Sequence, residues 1–155
     1  MANERARPYS AFNYLVDLGN GTGTDSPRAG FQEVTGLGVE ITVQEYRPGN
    51  YALNSTMKIT GMNKVTDITL KRGVIAALDL WEWVNSVRRG EQGTTPGPLR
   101  NVTIQLQNED RTAIAMTWRV INARPIKFTA PSFNGKGTDV AVEELVLTAE
   151  DITIE

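Results

Sequence analysis

Residues 37–51 read LGVEITVQEYRPGNY, in which apolar and polar residues alternate before a Pro-Gly-Asn turn. The apolar residues are Leu37, Val39, Ile41 and Val43, and the polar residues include Glu40, Thr42 and Gln44. Because successive side chains of a strand point to opposite faces, one face is predicted to meet a core and the other a polar environment. An Ile41→Asp change is then expected to disrupt folding, since it would bury an unpaired charge.

Strand signals recur along the chain, as short runs rich in β-branched and aromatic residues separated by turn residues. The predicted strand stretches are 12–18, 31–46, 53–64, 65–73, 101–107, 112–123 and 140–155. Gly36 and Gly38 are expected to bend the second stretch into two strands, because a missing side chain permits a kink. The Gly-rich and Pro-rich segments 19–30 and 91–100 are predicted loops.

The closing stretch, VAVEELVLTAEDITIE (140–155), allows two interpretations. Residues 143–147 are good helix formers, so a helix is one alternative. The β-branched residues of the stretch favour a strand, with a bend near Ala149.

One stretch, VIAALDLWEWVNSVRRG (74–90), has helical periodicity and predicts a helix over about 74–89. Its apolar stripe is formed by Val74, Ala77, Leu78, Trp81 and Val84. Arg88 and Arg89 fall in the last turn, where cations suit the helix dipole, and Gly90 can adopt the left-handed cap.

The two tryptophans of this helix are predicted to differ in environment. Trp81 belongs to the apolar stripe and is expected in the core, whereas Trp83 falls on the opposite face. A large exposed aromatic residue often marks a contact surface. The fold class that follows is mainly β, an antiparallel sandwich or barrel with one flanking helix.

Composition excludes most catalytic chemistry. The 155 residues include no His and no Cys, which removes Ser-His-Asp triads, thiol nucleophiles and most zinc sites. The net charge of -2 gives no general attraction to nucleic acid. The first residues carry no apolar secretory signal, and the longest apolar run, 74–78, is far too short to span a membrane.

The Gly-rich motifs and carboxylates do not assemble into a recognisable site. GNGTG (19–23) lacks the third Gly and the helix of a dinucleotide loop, and NGKGT (134–138) departs from a P-loop at two positions. Glu143 and Glu144 would alternate faces on a strand. A site of carboxylates alone stays open, but no calcium-loop spacing supports it. We therefore predict no catalytic, cofactor-binding or metal-binding residues.

Half-polar strands in an antiparallel set leave open edges, which a protein hides or pairs with another chain. This property favours an assembly protein over an enzyme.

Several stretches, in the same order along the chain, resemble the tail-tube protein family of contractile phage tails and contractile injection systems. They are FNYLVDL (12–18), GFQEVTGLGVEITVQEYRPG (30–49), ITLKRG (68–73) before a Trp-containing helix, WRVINARPIKFTAPSFN (118–134) and VAVEELVLTAEDI (140–152). The resemblance covers nearly the whole chain and implies a single tail-tube domain over 1–155.

The resemblance implies a structural, non-enzymatic subunit that forms homohexameric rings stacked into a hollow inner tube. The implied partners are further copies of the chain, a sheath protein, baseplate or tube-initiator proteins, and luminal cargo such as effectors or DNA. No cofactor, membrane anchor or sequence-specific nucleic-acid binding is implied. The implied location is cytoplasmic synthesis followed by assembly into a phage tail or a released extracellular particle.

Mapped onto this sequence, the resemblance implies that 37–47 and 53–64 form a long hairpin that contributes to the wall of the channel. Glu40, Thr42 and Gln44 are expected to face the lumen, and the alternative is that they meet a neighbour or solvent. The expected inter-subunit contacts are Tyr46, Arg47, Asn50 and Trp83.

Two other functions remain open at this point. One is a secreted hexameric ring or binding module of the same fold that acts as an effector carrier or chaperone. The other is an enzyme that uses carboxylates alone.

Overall fold

A computed structural model describes residues 4–19, 23–24, 29–90 and 98–155. These ranges contain nine strands and one helix. In chain order they are β1 (Tyr14–Asp17), β2 (Phe31–Thr35), β3 (Val39–Tyr46), β4 (Met57–Val65), β5 (Ile68–Gly73), α1 (Asp79–Arg88), β6 (Arg100–Gln107), β7 (Ile114–Thr129), β8 (Val142–Thr148) and β9 (Asp151–Ile154). The predicted class, mainly β with one helix, is confirmed.

Seven strands form one antiparallel sheet: six follow the order β1-β6-β7-β8-β5-β2, and β9 pairs with β7 beside this path. The 16-residue strand β7 connects two halves, because its first part pairs with β6 and β9 and its last part with β8. Asn122, at a φ of 53°, lies at the change of partner. Among the described residues the path stays open, with β1 and β2 at its ends, so the predicted sandwich or barrel is not established for the single chain.

One hydrophobic core joins the two halves and the helix. Its buried members are Val16, Leu18, Phe31, Ile68, Leu70, Leu80, Trp83, Val102, Ile104, Val120, Ala123, Leu145 and Leu147. None of them comes from β3 or β4. Of these two strands only Val65, at the end of β4 next to the body, is buried.

The helix starts five residues later than predicted. Residues 74–78 are not helical, and Ala76 has a φ of 60°, which breaks the helical path. The buried face of α1 is set by Leu80 and Trp83 instead of the stripe that begins at Val74. At the other end the prediction is confirmed, since Gly90 has a φ of 75° and donates from its N–H to Val87 O at 3.0 Å.

The closing stretch is strand, as favoured, and it is interrupted between β8 and β9 at Ala149 and Glu150. The loop prediction at 19–30 and the Gly-rich motif at 19–23 fall largely outside the described residues, as does most of 91–100. No helix in the described part of the chain is long and apolar enough to cross a membrane.

Strands β2 to β5 form one long two-stranded ribbon, which comprises residues 31–46 and 57–73. Thr35 pairs with Thr69 and Val39 pairs with Val65, so three residues intervene on each strand and the register continues across the break. The Thr66 N–H donates to Gly38 O at 3.0 Å within the break. At about 3.3 Å per residue, the 16 residues from 31 to 46 span roughly 50 Å.

The break, at residues 36–38 and 66–68, is a fixed bend that we call the hinge. Gly36 has a φ of 86°, and a Cβ there would lie 2.0 Å from Asp67 O, so only glycine fits. The Thr66 hydroxyl oxygen lies 2.6 Å from Gly36 O and 3.2 Å from Gly38 O, within hydrogen-bonding distance of both carbonyls. The predicted bend at Gly36 and Gly38 is therefore confirmed, and the hydrogen bonds fix its geometry.

Candidate assembly surface: the projecting half of the ribbon

The outer half of the ribbon, β3 and β4 with the turn between them, projects from the body. The two strands pair only with each other, and every residue of β3 and every residue of β4 except Val65 is exposed. A two-stranded hairpin without a packed face is marginally stable in water. This half of the ribbon therefore presents surface for a partner.

The predicted core face of β3 is wrong for the single chain. Val39, Ile41 and Val43 share one face of the strand, and Ile41 is 55% exposed. The alternation was interpreted correctly as a strand, but its apolar side meets no residue of its own body. An exposed apolar row of this kind marks a contact surface.

The predicted polar face is exposed as well. Glu40, Thr42 and Gln44 lie on the other side of β3, but their face is not purely polar. Directly paired residues share a face. Gln44 therefore shares its face with Ile59, and Tyr46 shares it with Met57.

Opposite charges face each other across the hairpin. Glu40 pairs with Lys64 on one face, and Glu45 pairs with Lys58 on the other. Cross-strand pairs of opposite charge stabilise a two-stranded ladder. Each face of the hairpin therefore carries balanced charge.

The turn at the end of the ribbon is shaped by Arg47. Its guanidinium donates from Nε to Leu53 O at 3.0 Å and from Nη2 to Tyr51 O at 3.1 Å. The Tyr51 N–H donates to Pro48 O at 3.1 Å. Tyr46, Arg47 and Asn50 are all exposed, so the structure brings these three predicted contact residues together at the tip.

The prediction for the helix tryptophans is wrong. Trp83 is 1% exposed, and its indole N–H donates to Pro98 O at 2.6 Å, which satisfies it inside the core. Trp81 is 41% exposed and packs edge-on against Phe128. The predicted contact residue Trp83 therefore cannot present its ring to a partner, whereas Trp81 can.

A buried ion cluster fastens the inner half of the ribbon to the helix. Arg72, on β5, is 1% exposed and donates to Glu143 Oε1 at 2.6 Å and to Asp79 Oδ1 at 2.8 Å. Burial lowers the pKa of Arg72, but the hydrogen bonds to Asp79 and Glu143 outweigh it and leave the pKa raised. Glu143 is thus one of the two carboxylates that neutralise Arg72 in a structural ion network.

An N-terminal arm, residues 4–10, lies over the turn between β6 and β7. Arg5 donates to both carboxylate oxygens of Glu109, at 2.9 and 2.6 Å, and its guanidinium lies 3.7 Å from the centre of the Tyr9 ring. The hydrogen bond from Arg5 is the largest cause that lowers the pKa of Glu109 to about 2. Glu109, in the turn between β6 and β7, thus holds the arm.

The described residues contain no group of three or more potential metal ligands, and every buried side-chain polar atom among them has a hydrogen-bond partner. The surface that sequence reasoning missed is a second apolar one. Phe133 and Val140 are 87% and 80% exposed on the connection between β7 and β8. Their isolated positions in a Gly-rich and Pro-rich stretch gave no periodic signal.

The antiparallel β fold and the exposed half of the ribbon, which pairs with no further strand, are typical of a subunit that assembles with other chains. The chain belongs to the T4-like virus tail tube protein gp19 family, whose model matches residues 10–153. The resemblance inferred from the sequence is thereby confirmed. No curated protein sequence matches the chain.

Solved structures agree with the family. The chain is 30% identical to a chain of the PVC sheath-tube complex, an extracellular contractile injection system in the extended state, with a TM-score of 0.80 and coverage of 97% of this chain and 93% of that one. It is 26% identical to a chain of the anti-feeding prophage cap (AFP tube terminating cap), with a TM-score of 0.80 and coverage of 100% and 95%.

A more distant match shows the fold alone. Hcp1 from Flavobacterium johnsoniae is 11% identical, with a TM-score of 0.52 and coverage of 91% of this chain and 93% of that one. Taken with the family, these matches make the chain a tail-tube structural subunit of the phage-tail and contractile-injection-system type. Its relatives are structural tube proteins and not enzymes.

Proposed function

We propose that the chain, as one domain over residues 1–155, forms homohexameric rings that stack into the inner tube of a contractile particle. The single observation that carries this proposal is the projecting half of the ribbon, which is exposed on both faces and pairs with no other strand. Neighbouring ribbons can pair side by side into a closed barrel, which removes every open edge.

The two faces of β3 then take different roles. The face with Val39, Ile41 and Val43 packs against a neighbouring copy, because apolar surface is stabilised by burial. The face with Glu40, Thr42 and Gln44 lines the lumen. Balanced charge on that face avoids a strong field along the channel, so that effectors or DNA can pass without adhering.

The outer partners follow from the known complexes of relatives. A sheath-tube complex and a baseplate each contain a chain with this fold. In the proposed assembly a baseplate or initiator protein starts the tube and a sheath surrounds it. Trp81, with Arg88 stacked 5.5 Å from its ring centre, lies on an exposed part of α1 that can contact a neighbour or the sheath. The assembled tube belongs to a phage tail or a released extracellular particle.

Electron microscopy of the purified protein tests the proposal. At high concentration, or with a baseplate extract as initiator, the chain is expected to form stacked rings or hollow tubes with sixfold symmetry. The matched control is the Asp110→Asn variant, an exposed change in the turn between β6 and β7, which should assemble to the same extent. A protein that stays monomeric under both conditions would contradict the tube assignment.

A further inference from the structure

A second apolar surface lies on the connection between β7 and β8, which we call the acceptor loop (residues 131–142). It encloses a cavity of about 430 Å³ lined by Pro131, Phe133, Asn134, Asp139, Val140 and Val142. At about 30 Å³ per water molecule, the cavity has room for roughly a dozen waters, and hence for several side-chain groups. Apolar side chains as exposed as Phe133 and Val140 mark a contact site.

The acceptor loop is held in shape by its own hydrogen bonds. The Asn134 side chain accepts from the Lys136 N–H at 3.0 Å, and Asn134 O accepts from the Gly137 N–H at 3.0 Å. Ala141 O accepts from the Val74 N–H at 2.9 Å, which ties the loop to the end of β5. The cavity is therefore preorganised for an occupant, which lowers the entropy lost on binding.

The tip of the ribbon presents the complementary chemistry. Tyr46, Leu53 and Met57 are exposed around the turn, and Arg47 is the one cation of the segment 46–57. The acceptor loop contributes the carboxylate of Asp139 to the lining of its cavity. The tip thus presents apolar groups with one cation, and the acceptor loop presents the exposed Phe133 and Val140 beside a largely polar cavity with one anion.

The two surfaces lie at opposite ends of the same ribbon. The acceptor loop joins the body beside Gly73, at the inner end, whereas the tip lies at the outer end. Both surfaces are exposed, so neither covers the other within one chain. A contact between two different patches of identical chains propagates into a ring or a stack.

We propose that the tip of one copy's ribbon, centred on Leu53, seats in the acceptor loop of a second copy, against Phe133 and Val140. This inference rests on the proposed tube function and adds its acceptor surface. It makes the contact heterologous, with tip and loop supplied by different copies.

Disulfide trapping tests the contact, because the chain has no cysteine of its own. The double variant Leu53→Cys/Val140→Cys is oxidised under assembly conditions and separated by denaturing electrophoresis without reductant. A ladder of multimers is expected, forming roughly a thousandfold faster than in unassembled protein, because contact replaces micromolar with millimolar effective concentration. Each single-cysteine variant should give no species above a dimer.

The control is the double variant Leu53→Cys/Thr153→Cys, in which the second thiol lies on exposed β9 instead of the acceptor loop. It should give no ladder of multimers. If tubes form but the Leu53/Val140 pair gives no ladder, the acceptor loop has another occupant, such as the sheath, and this inference is overturned while the tube function stands. If the wild-type chain forms neither tubes nor rings, the proposed function itself fails.

Discussion

Arg72 lies between two carboxylates at the point where the ribbon, the helix and β8 meet. Its side chain reaches Asp79 on the first turn of α1 and Glu143 on β8, and all three side chains are at least nine-tenths buried. A buried charge is tolerated when its partners satisfy it, and removal of one partner leaves the others uncompensated. Arg72 therefore ties α1 and β8 to the inner half of the ribbon, in addition to the core contacts of Leu80 and Trp83.

Replacing Arg72 by Met should lower the free energy of unfolding by about 3–5 kcal/mol, because two buried carboxylates lose their cation. Urea denaturation followed by circular dichroism measures the change. The further variant Arg72→Met/Asp79→Asn/Glu143→Gln should recover much of the loss, since it removes the uncompensated charge.

Arg119→Met serves as the control, because Arg119 is an exposed arginine on β7 whose ion pair with Glu155 is open to solvent. Its effect should stay within about 0.5 kcal/mol. Equal unfolding midpoints for the Arg72 and Arg119 variants would show that the buried cluster does not stabilise the fold.

The contact between Arg5 and Glu109 predicts a pH dependence for the arm. The pKa of Glu109 in the folded protein is about 2, below the ordinary value of 4.5. A lowered pKa means that the charged carboxylate favours the docked arm. That contribution is complete above pH 4.5 and is lost as the pH falls from 4.5 towards about 2.

An NMR titration of the Glu109 carboxyl carbon checks this prediction, and Arg5→Ala should move the midpoint up towards 4.5. Arg119→Ala, which removes a distant arginine, should leave the titration of Glu109 unchanged. If Arg5→Ala leaves the titration midpoint of Glu109 unchanged, the arm does not dock on Glu109.

At the scale of the elements, β3 shows why the sequence predicts the strand but not its environment. Alternation of apolar and polar residues indicates that one face of the strand is buried. The pattern is the same whether that face packs on the core of its own chain or on a partner chain. Ile41 and Val43 therefore looked like core residues in the sequence and are exposed in the single chain. The hinge was predictable, because Gly36 and Gly38 leave a local signal that does not depend on a partner.

The helix was misplaced for a different reason. Apolar residues continue from Val74 to Trp83 in a pattern that helical periodicity fits, but the cluster around Arg72 holds Asp79 at the helix start. Starting at Asp79 directs Trp83 into the core and leaves Trp81 outside. A buried ion pair between residues distant in sequence gives no periodic signal, so sequence reasoning could not find it.

Exposure of Ile41 reverses the expected effect of a charge there. Ile41→Asp should leave the monomer folded, with a thermal midpoint within about 2–4 °C of wild type if the cost is no more than about 1 kcal/mol. It should abolish tubes, because it places a charge on the apolar row of the hairpin. Thermal melting and electron microscopy on the same sample measure both effects.

The matched control is Leu145→Asp, which places the same charge at a fully buried core position on β8. That variant should fail to fold, since a buried unpaired charge costs several kcal/mol. If Ile41→Asp also unfolds the chain, the hairpin belongs to the folding unit and the assembly assignment of its apolar face is wrong.

At the scale of the whole molecule, the body and the projecting half of the ribbon are separable. Val65, at the end of β4 next to the body, is the one buried residue of β3 and β4, and the two strands pair only with each other. A chain in which residues 41–63 are replaced by Asn-Gly joins the paired residues Glu40 and Lys64 with a two-residue hairpin turn. It should remain a folded monomer that unfolds in one transition and forms no tubes.

Circular dichroism and sedimentation velocity check the shortened chain. Hexamers formed without the hairpin would show that ring closure uses the body instead. Loss of folding would show that the core depends on the ribbon in a way that its packing does not indicate.

The length of the ribbon also has a mechanical meaning. A pull on the tip along the strand direction loads the transverse hydrogen bonds of the β5–β8 ladder together, in shear, so they resist as a group. The same load reaches Arg72 at the inner end, where the charged contacts to Asp79 and Glu143 oppose sliding of β5 past its neighbours. The buried ion cluster thus anchors the inner end of the ribbon against a pull on its tip.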